Sequence, residues 1–175
     1  LPAAELALEL ARVPALAAEP VKTLYLGGGT PALLGADGLR ALAASLAARL
    51  PLDSLEEWTV ELNPASVTAD LLREMRALGV SRLSIGVQSL DDAVLARIGR
   101  RHSAARARAA VRFAREAGFD DIGIDLIAGL PGVTPTQWRE TLARSVRAAE
   151  PPVGAFSQAF AIDGEELVLS VQRVE

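Results

Sequence analysis

The sequence predicts an α/β protein with parallel strands, and three observations carry that prediction. Strand-like apolar runs alternate with segments of helical periodicity, most helical segments bring their own start or stop residues, and a helix-sized stretch separates successive strands. With 175 residues, 50% of them hydrophobic, the chain can bury one core without disulfides.

The elements follow in order. "PAAELALELARV" carries Leu6, Leu10 and Val13 at helical spacing, and Pro14 stops it. "VKTLYL" reads as a strand running into Gly27, Gly28 and Gly29, and "GLRALAASLAARL" as an amphipathic helix with Asp37 placed to cap it. The unit then recurs. "EWTVELNP" is strand-like, and "TADLLREMRAL" is a helix with Thr68 as N-cap and Gly79 as the left-handed residue that ends it. "SRLSIGVQS" is a third strand, followed by the short helix "DDAVLARI" and by "AARARAAVRFAREA", capped by Ser103 and closed by Gly118. "DDIGIDLIAGLPG" supplies the fourth strand. Thr134, Pro135 and Gln137 are cap, first-turn proline and capping-box partner of a helix through about Ala149, and "VGAFSQAFAI" is the fifth strand. The tail "LVLSVQRVE" alternates like a strand after Asp163-Gly164 and is expected to fold back as a hairpin. The expected division is a core over residues 1–162 and a tail over 163–175, with no linker between.

Composition narrows the function. Lys and Arg number 18 against 22 Asp and Glu, a formal net charge of -4, which argues against a broad nucleic-acid footprint. No apolar run approaches the roughly 18 residues of a membrane span, and the N-terminus lacks the basic region of a secretory signal, so a cytoplasmic address is the expectation. The chain has no cysteine and a single histidine, His102, which removes thiolate chemistry and a histidine-rich metal site from its own residues. It opens on Leu1 rather than Met, as expected for a processed product or a piece of something longer.

In a parallel barrel the reactive groups gather at the C-terminal ends of the strands. There the first strand presents Gly27 to Thr30, the second Glu61 and Asn63, the third Gln88 and Ser89, and the fourth Asp125. Each has an ordinary explanation: a tight turn, a solvated carboxylate with an Asn-Pro turn, a backbone-satisfied amide. Asp125 resists it most, because an apolar strand would bury its charge at a cost. As a set they describe a rim suited to a nucleoside or amino-acid-like ligand, with glycines for close backbone approach and carboxylates and an amide for hydroxyl or ammonium groups. Phosphate-loop and dinucleotide patterns fail, since no Gly-Lys-Ser/Thr follows and position 32 is Ala. "GRRHS" reads on composition as a solvated basic turn, with Arg100 facing a ligand carboxylate as the sharper alternative. Trp138 reads as core packing.

"GGGTP", "ELNP", "GVQS" with "IGRRH", and "DLIAGLPG" with Trp138 occur in an order that resembles the radical S-adenosylmethionine (SAM) enzymes of the oxygen-independent coproporphyrinogen III oxidase type. "GVQS" and "GRRH" resemble the heme chaperone branch more than the oxidase proper. The resemblance covers roughly Leu1 to Ile162 and implies a partial, TIM-like (β/α)6 barrel with the first strand absent. It also implies S-adenosylmethionine across the C-terminal rim, with Gly28, Gly29 and Thr30 at the methionyl amino end. Glu61, Gln88, Arg100 and Asp125 would share the ribose and methionyl contacts, Arg100 near the carboxylate. The implied chemistry is reductive cleavage of the sulfonium by a [4Fe-4S] cluster to a 5'-deoxyadenosyl radical, with porphyrin or heme as the further partner.

The family's cluster ligands form C-x3-C-x2-C after the first barrel strand, and this sequence holds neither. The expectation is a chain that begins just downstream of that motif, inert in radical chemistry by itself, with the cysteines encoded within a few tens of residues upstream of Leu1. Two alternatives stand beside it: a SAM-binding module without radical chemistry, and a cluster-independent barrel enzyme using Glu61 and Asp125 as acid and base.

Overall fold

The computed structural model describes residues 20–28, 30–147 and 154–159. The expected opening helix, Gly29, the boundary at Ile162 and the 163–175 tail lie outside the described residues.

Among the described residues five strands, β1 (Thr23–Leu26), β2 (Glu57–Leu62), β3 (Arg82–Gln88), β4 (Asp121–Ala128) and β5 (Gly154–Ala159), form one parallel sheet in sequential order. Helices α1 (Gly35–Ala47), α2 (Ala69–Ala77), α3 (Asp92–Arg97), α4 (Ala104–Glu116) and α5 (Pro135–Arg147) fill the crossovers. Sequential parallel order with a helix at every crossover is an arc of a (β/α) barrel.

Among the described residues the predicted punctuation forms, except at Asp37. Thr68 Oγ1 accepts from Leu71 N–H at 3.2 Å, Ser103 Oγ accepts from Arg106 N–H at 3.1 Å, and Gln137 Oε1 accepts from Thr134 N–H at 2.8 Å. Asp37 is not a cap. A 3₁₀ turn over Pro31–Leu34 leads directly into α1, whose N-cap position is Leu34, so Asp37 sits inside the first turn and pairs with Arg40. The 3₁₀ turn begins at Pro31, whose fixed φ suits a first turn, and starts the helical stretch ahead of the acidic residue.

The core lies between the sheet and the helices. Trp58, Val60 and Leu62 of β2, Leu83, Ile85 and Val87 of β3, and Ile122, Ile124 and Leu126 of β4 pack with Leu71, Leu72 and Met75 of α2 and with Phe119. Complete burial of side chains such as Leu72, Ile85 and Phe119 contributes about 1.5–3 kcal/mol each. α4 presents Ala104, Ala107, Ala110 and Ala114 to this core, small residues that let the helix lie close to its neighbours. Trp138 is partly buried against the core, as its helical spacing predicts.

Candidate functional site

Strand pleating sends alternate residues to opposite faces. The residues between the core positions are Thr59 and Glu61 on β2, Arg82, Ser84 and Gly86 on β3, and Gly123 and Asp125 on β4. Their register, Glu61 beside Ser84 and Ser84 beside Gly123, lines them up across the sheet. The face opposite the helices is therefore polar.

Two layers build that face. In the lower one Arg82 lies 3.7 Å from Glu57 and 3.4 Å from Asp121, and it donates to Thr59 Oγ1 at 3.4 Å. In the upper one the Ser84 hydroxyl lies 3.1 Å from both Asp125 oxygens. Burial pushes the Asp125 carboxyl above its usual range, the Ser84 hydroxyl pulls it back, and Glu61 pushes it up against the opposing effect of Arg82.

Glu61 is held from the first strand. The Tyr25 hydroxyl donates to Oε1 at 2.5 Å, and the Gly28 N–H donates to Oε2 at 3.2 Å. Desolvation first, and the Glu61 bond second, push the Tyr25 phenol well above its ordinary range. Gly27 makes room for this arrangement: a Cβ there would stand 2.6 Å from the Tyr25 ring and 2.8 Å from the Glu61 carboxylate. Gly28 has φ +80, a left-handed conformation glycine adopts freely.

At the end of β3 the pairing with β4 shifts between Ile85 and Gln88, and Gln88 takes φ +67. A non-glycine residue in that region costs about 1–3 kcal/mol, and such outliers concentrate where a side chain is re-aimed at a site. Here the absent Gly86 side chain helps, because a Cβ on Gly86 would meet the Gln88 amide nitrogen at 3.0 Å.

These strand ends enclose a cavity of about 230 Å³ lined by Thr30, Glu61, Asn63, Ser84, Gly86, Gln88, Arg100, Asp125 and Ile127. Of the residues singled out from sequence, Thr30, Glu61, Gln88, Arg100 and Asp125 meet at this cavity, and Gly28 adjoins it through Glu61. Asn63 also lines it, while its Oδ1 accepts from Ala65 N–H at 3.0 Å, the turn role its Asn-Pro context implied. Tyr25, Arg82, Ser84 and Gly86 were missed. For the three β3 residues the signal was present in "RLSIGVQ", where polar or small residues alternate with apolar ones along the whole strand and not only at its end. The "GRRHS" turn departs from a solvated basic turn: Arg101 is exposed, but Arg100 lines the cavity and His102 is buried.

The cavity offers two carboxylates, a guanidinium, two amides and hydroxyls on an apolar support. Such a set grips a small ligand carrying hydroxyl, ammonium and carboxylate groups. Among the described residues no cluster of His, Cys, Asp or Glu could hold a metal ion, and no helix is long and apolar enough to cross a membrane.

Comparison with known proteins identifies the family and agrees with the fold. A sequence profile described as "Radical SAM superfamily" matches residues 3–144. The heme chaperone HemW of Lactococcus lactis is 37% identical over 139 residues, covering 79% of this chain and 37% of that protein. The oxygen-independent coproporphyrinogen III oxidase of Bradyrhizobium diazoefficiens is 35% identical over 143 residues, 82% of this chain and 32% of that protein. The solved structure of coproporphyrinogen III oxidase (HemN) from Escherichia coli, described as a radical SAM enzyme, superimposes with a TM-score of 0.74 at 32% identity, covering 85% of this chain and 35% of that one. The chain thus spans about a third of the length of these relatives.

Proposed function

The chain belongs to the radical SAM superfamily, and from that premise we propose that its cavity is the S-adenosylmethionine pocket of a protein of porphyrin or heme metabolism. The observation that carries the reading is the convergence of Thr30, Glu61, Gln88, Arg100 and Asp125 from four strand ends and a turn onto one polar cavity. Their chemistry fits the cofactor: carboxylates for the ammonium and ribose hydroxyls, a guanidinium for the carboxylate, and the Gly27-Gly28 backbone for close approach. The names of the relatives, a heme chaperone and a coproporphyrinogen oxidase, supply the metabolic context.

The residues do not fit the second group that the family implies. With no cysteine in the sequence, this chain has no thiolate for a [4Fe-4S] cluster. S-adenosylmethionine, if bound here, would be held by Thr30, Glu61, Gln88, Arg100 and Asp125 and would supply a sulfonium for radical chemistry, with the reductant coming from outside these residues. What the chain itself does is bind and orient: Ser84 holds Asp125, and Tyr25 with Gly28 N–H holds Glu61.

Isothermal titration of S-adenosylmethionine into this chain tests the reading. Binding that weakens about tenfold or more in Asp125→Ala and in Glu61→Ala is expected, the loss that follows when charged hydrogen-bonding groups are removed. No heat at millimolar ligand would sink it. A second reading, a cluster-independent enzyme with Asp125 and Glu61 as acid and base, is favoured by the raised Asp125 carboxyl. It requires turnover by this chain in iron-free buffer, and dependence of activity on a cluster would exclude it.

A further inference from the structure

Resting on the S-adenosylmethionine reading, we infer that His102 is a positioning residue, tying the end of β3 to the α3–α4 turn so that Gln88 and Arg100 reach the cavity together. Nothing in the pocket needs His102 directly. It is 5% exposed, while its neighbours Arg101 and Ser103 are exposed. Burying an imidazole at a surface turn calls for a reason.

The ring's one hydrogen bond supplies that reason. His102 Nε2 lies 3.1 Å from the Val87 carbonyl, on the residue immediately before the left-handed Gln88. A carbonyl only accepts, so Nε2 carries the proton and the neutral ring is fixed in that tautomer. The Nδ1 atom is buried with no protein partner, so the ring is committed to the β3 contact alone.

The turn is anchored on both sides of the ring. Arg100 N–H donates to Leu95 O at 2.9 Å at the end of α3, and Ser103 caps α4. Gly99, at φ +71, gives the reversal between them. His102 is the cross-link between this anchored turn and β3, two residues from Arg100 and one peptide from Gln88. A strained backbone persists only where its surroundings over-determine it, and two donors on the preceding carbonyl do that for Gln88: Ser89 N–H at 2.8 Å from within the turn and His102 Nε2–H from across it. Phenylalanine would fill the same space, so a pure packing role and a hydrogen-bonding role make different predictions.

The charge state agrees with this role. Burial lowers the His102 pKa, the Val87 carbonyl raises it, Arg100 lowers it and Asp92 raises it. Protonation would place an unpartnered Nδ1–H in a buried site beside Arg100.

The test compares the wild-type chain with His102→Phe, which keeps ring volume but loses the donor, and His102→Gln, which restores an N–H. S-adenosylmethionine affinity is measured by calorimetry, and the Gln88 and Arg100 amide resonances are followed without ligand. The expected result is a roughly tenfold loss of affinity and displaced Gln88 and Arg100 resonances in His102→Phe, with both largely recovered in His102→Gln. Wild-type affinity and unmoved resonances in His102→Phe would overturn the inference. If the wild-type chain fails to bind S-adenosylmethionine, the pocket reading falls, and the ligand-free resonances alone decide the positioning claim: displaced supports it, unmoved defeats it. If His102→Phe does not fold, the wild-type ring tautomer decides, Nε2–H supporting the tie and Nδ1–H refuting it.

Discussion

On β3 the two faces of the sheet are one residue apart. Ile85 is fully buried among the side chains of the helix-covered core, while Ser84, its neighbour in sequence, faces the other way and holds Asp125. The same alternation separates Val60 from Glu61 on β2 and Ile124 from Asp125 on β4. One face gains free energy by excluding water from apolar surface, and the other gives some back by confining charge. On the proposed function, stability and ligand recognition are divided by the pleat, and a substitution should disturb mainly the property of the face on which it lands.

The largest break in that division is expected from Ile85→Ala, which should cost about 2–5 kcal/mol in urea denaturation by opening a cavity in the core. Ser84→Ala, one position away, should cost only about 1 kcal/mol while weakening S-adenosylmethionine binding. Equal stability losses at the two positions would erase the distinction between the faces.

Next comes Gly27→Ala. Its Cβ would crowd the Tyr25 ring and the Glu61 carboxylate, both ends of side chains that can swing away. Stability should therefore fall by about 1 kcal/mol, near the low end of overpacking costs. Ligand binding should suffer more, because the yielding group is Glu61 itself. Calorimetry and thermal melting on the same preparation separate the two effects.

Asp125→Asn sharpens the comparison through pH. The folded-state carboxyl titrates above its unfolded value of 3.8, so the protonated form favours folding. That contribution is complete below the unfolded pKa and is lost as pH rises through the folded one, leaving an ionised Asp125 that costs stability at neutral pH. Asn should raise the neutral-pH melting temperature, flatten its decline with pH above 3.8 and abolish tight binding. A lowered melting temperature at pH 7 would contradict the sign.

The smallest effect belongs to Tyr25→Phe. Tyr25 is 57% exposed, so removing its hydroxyl should change stability by less than about 1 kcal/mol. Its bond to Glu61 predicts a modest loss of affinity, readable in the same titration.

Most of the architecture was legible because it is written locally. Thr68, Ser103 and the Thr134–Gln137 pair announce helix starts within a few residues of the turns they cap, and the apolar period fixes which side each helix buries. Asp37 was misread because its local signal competes with Pro31, which starts a 3₁₀ turn earlier. At the site, Glu61, Gln88 and Asp125 could be found by looking at strand ends. Tyr25 and Ser84 could not be paired with their partners, because the contacts to Glu61 and Asp125 bridge 36 and 41 residues and depend on strand register. The left-handed Gln88 was hidden for a similar reason: it follows from a register shift between β3 and β4 that no short motif encodes.

The most direct measurement is a titration of S-adenosylmethionine into the isotopically labelled chain, followed by its amide resonances. The account predicts saturable shifts concentrated at Thr30, Glu61, Gln88, Arg100 and Asp125, with the α2 residues Leu71, Leu72 and Met75 unmoved. Shifts confined to the helix-covered side, or none at millimolar ligand, would contradict it.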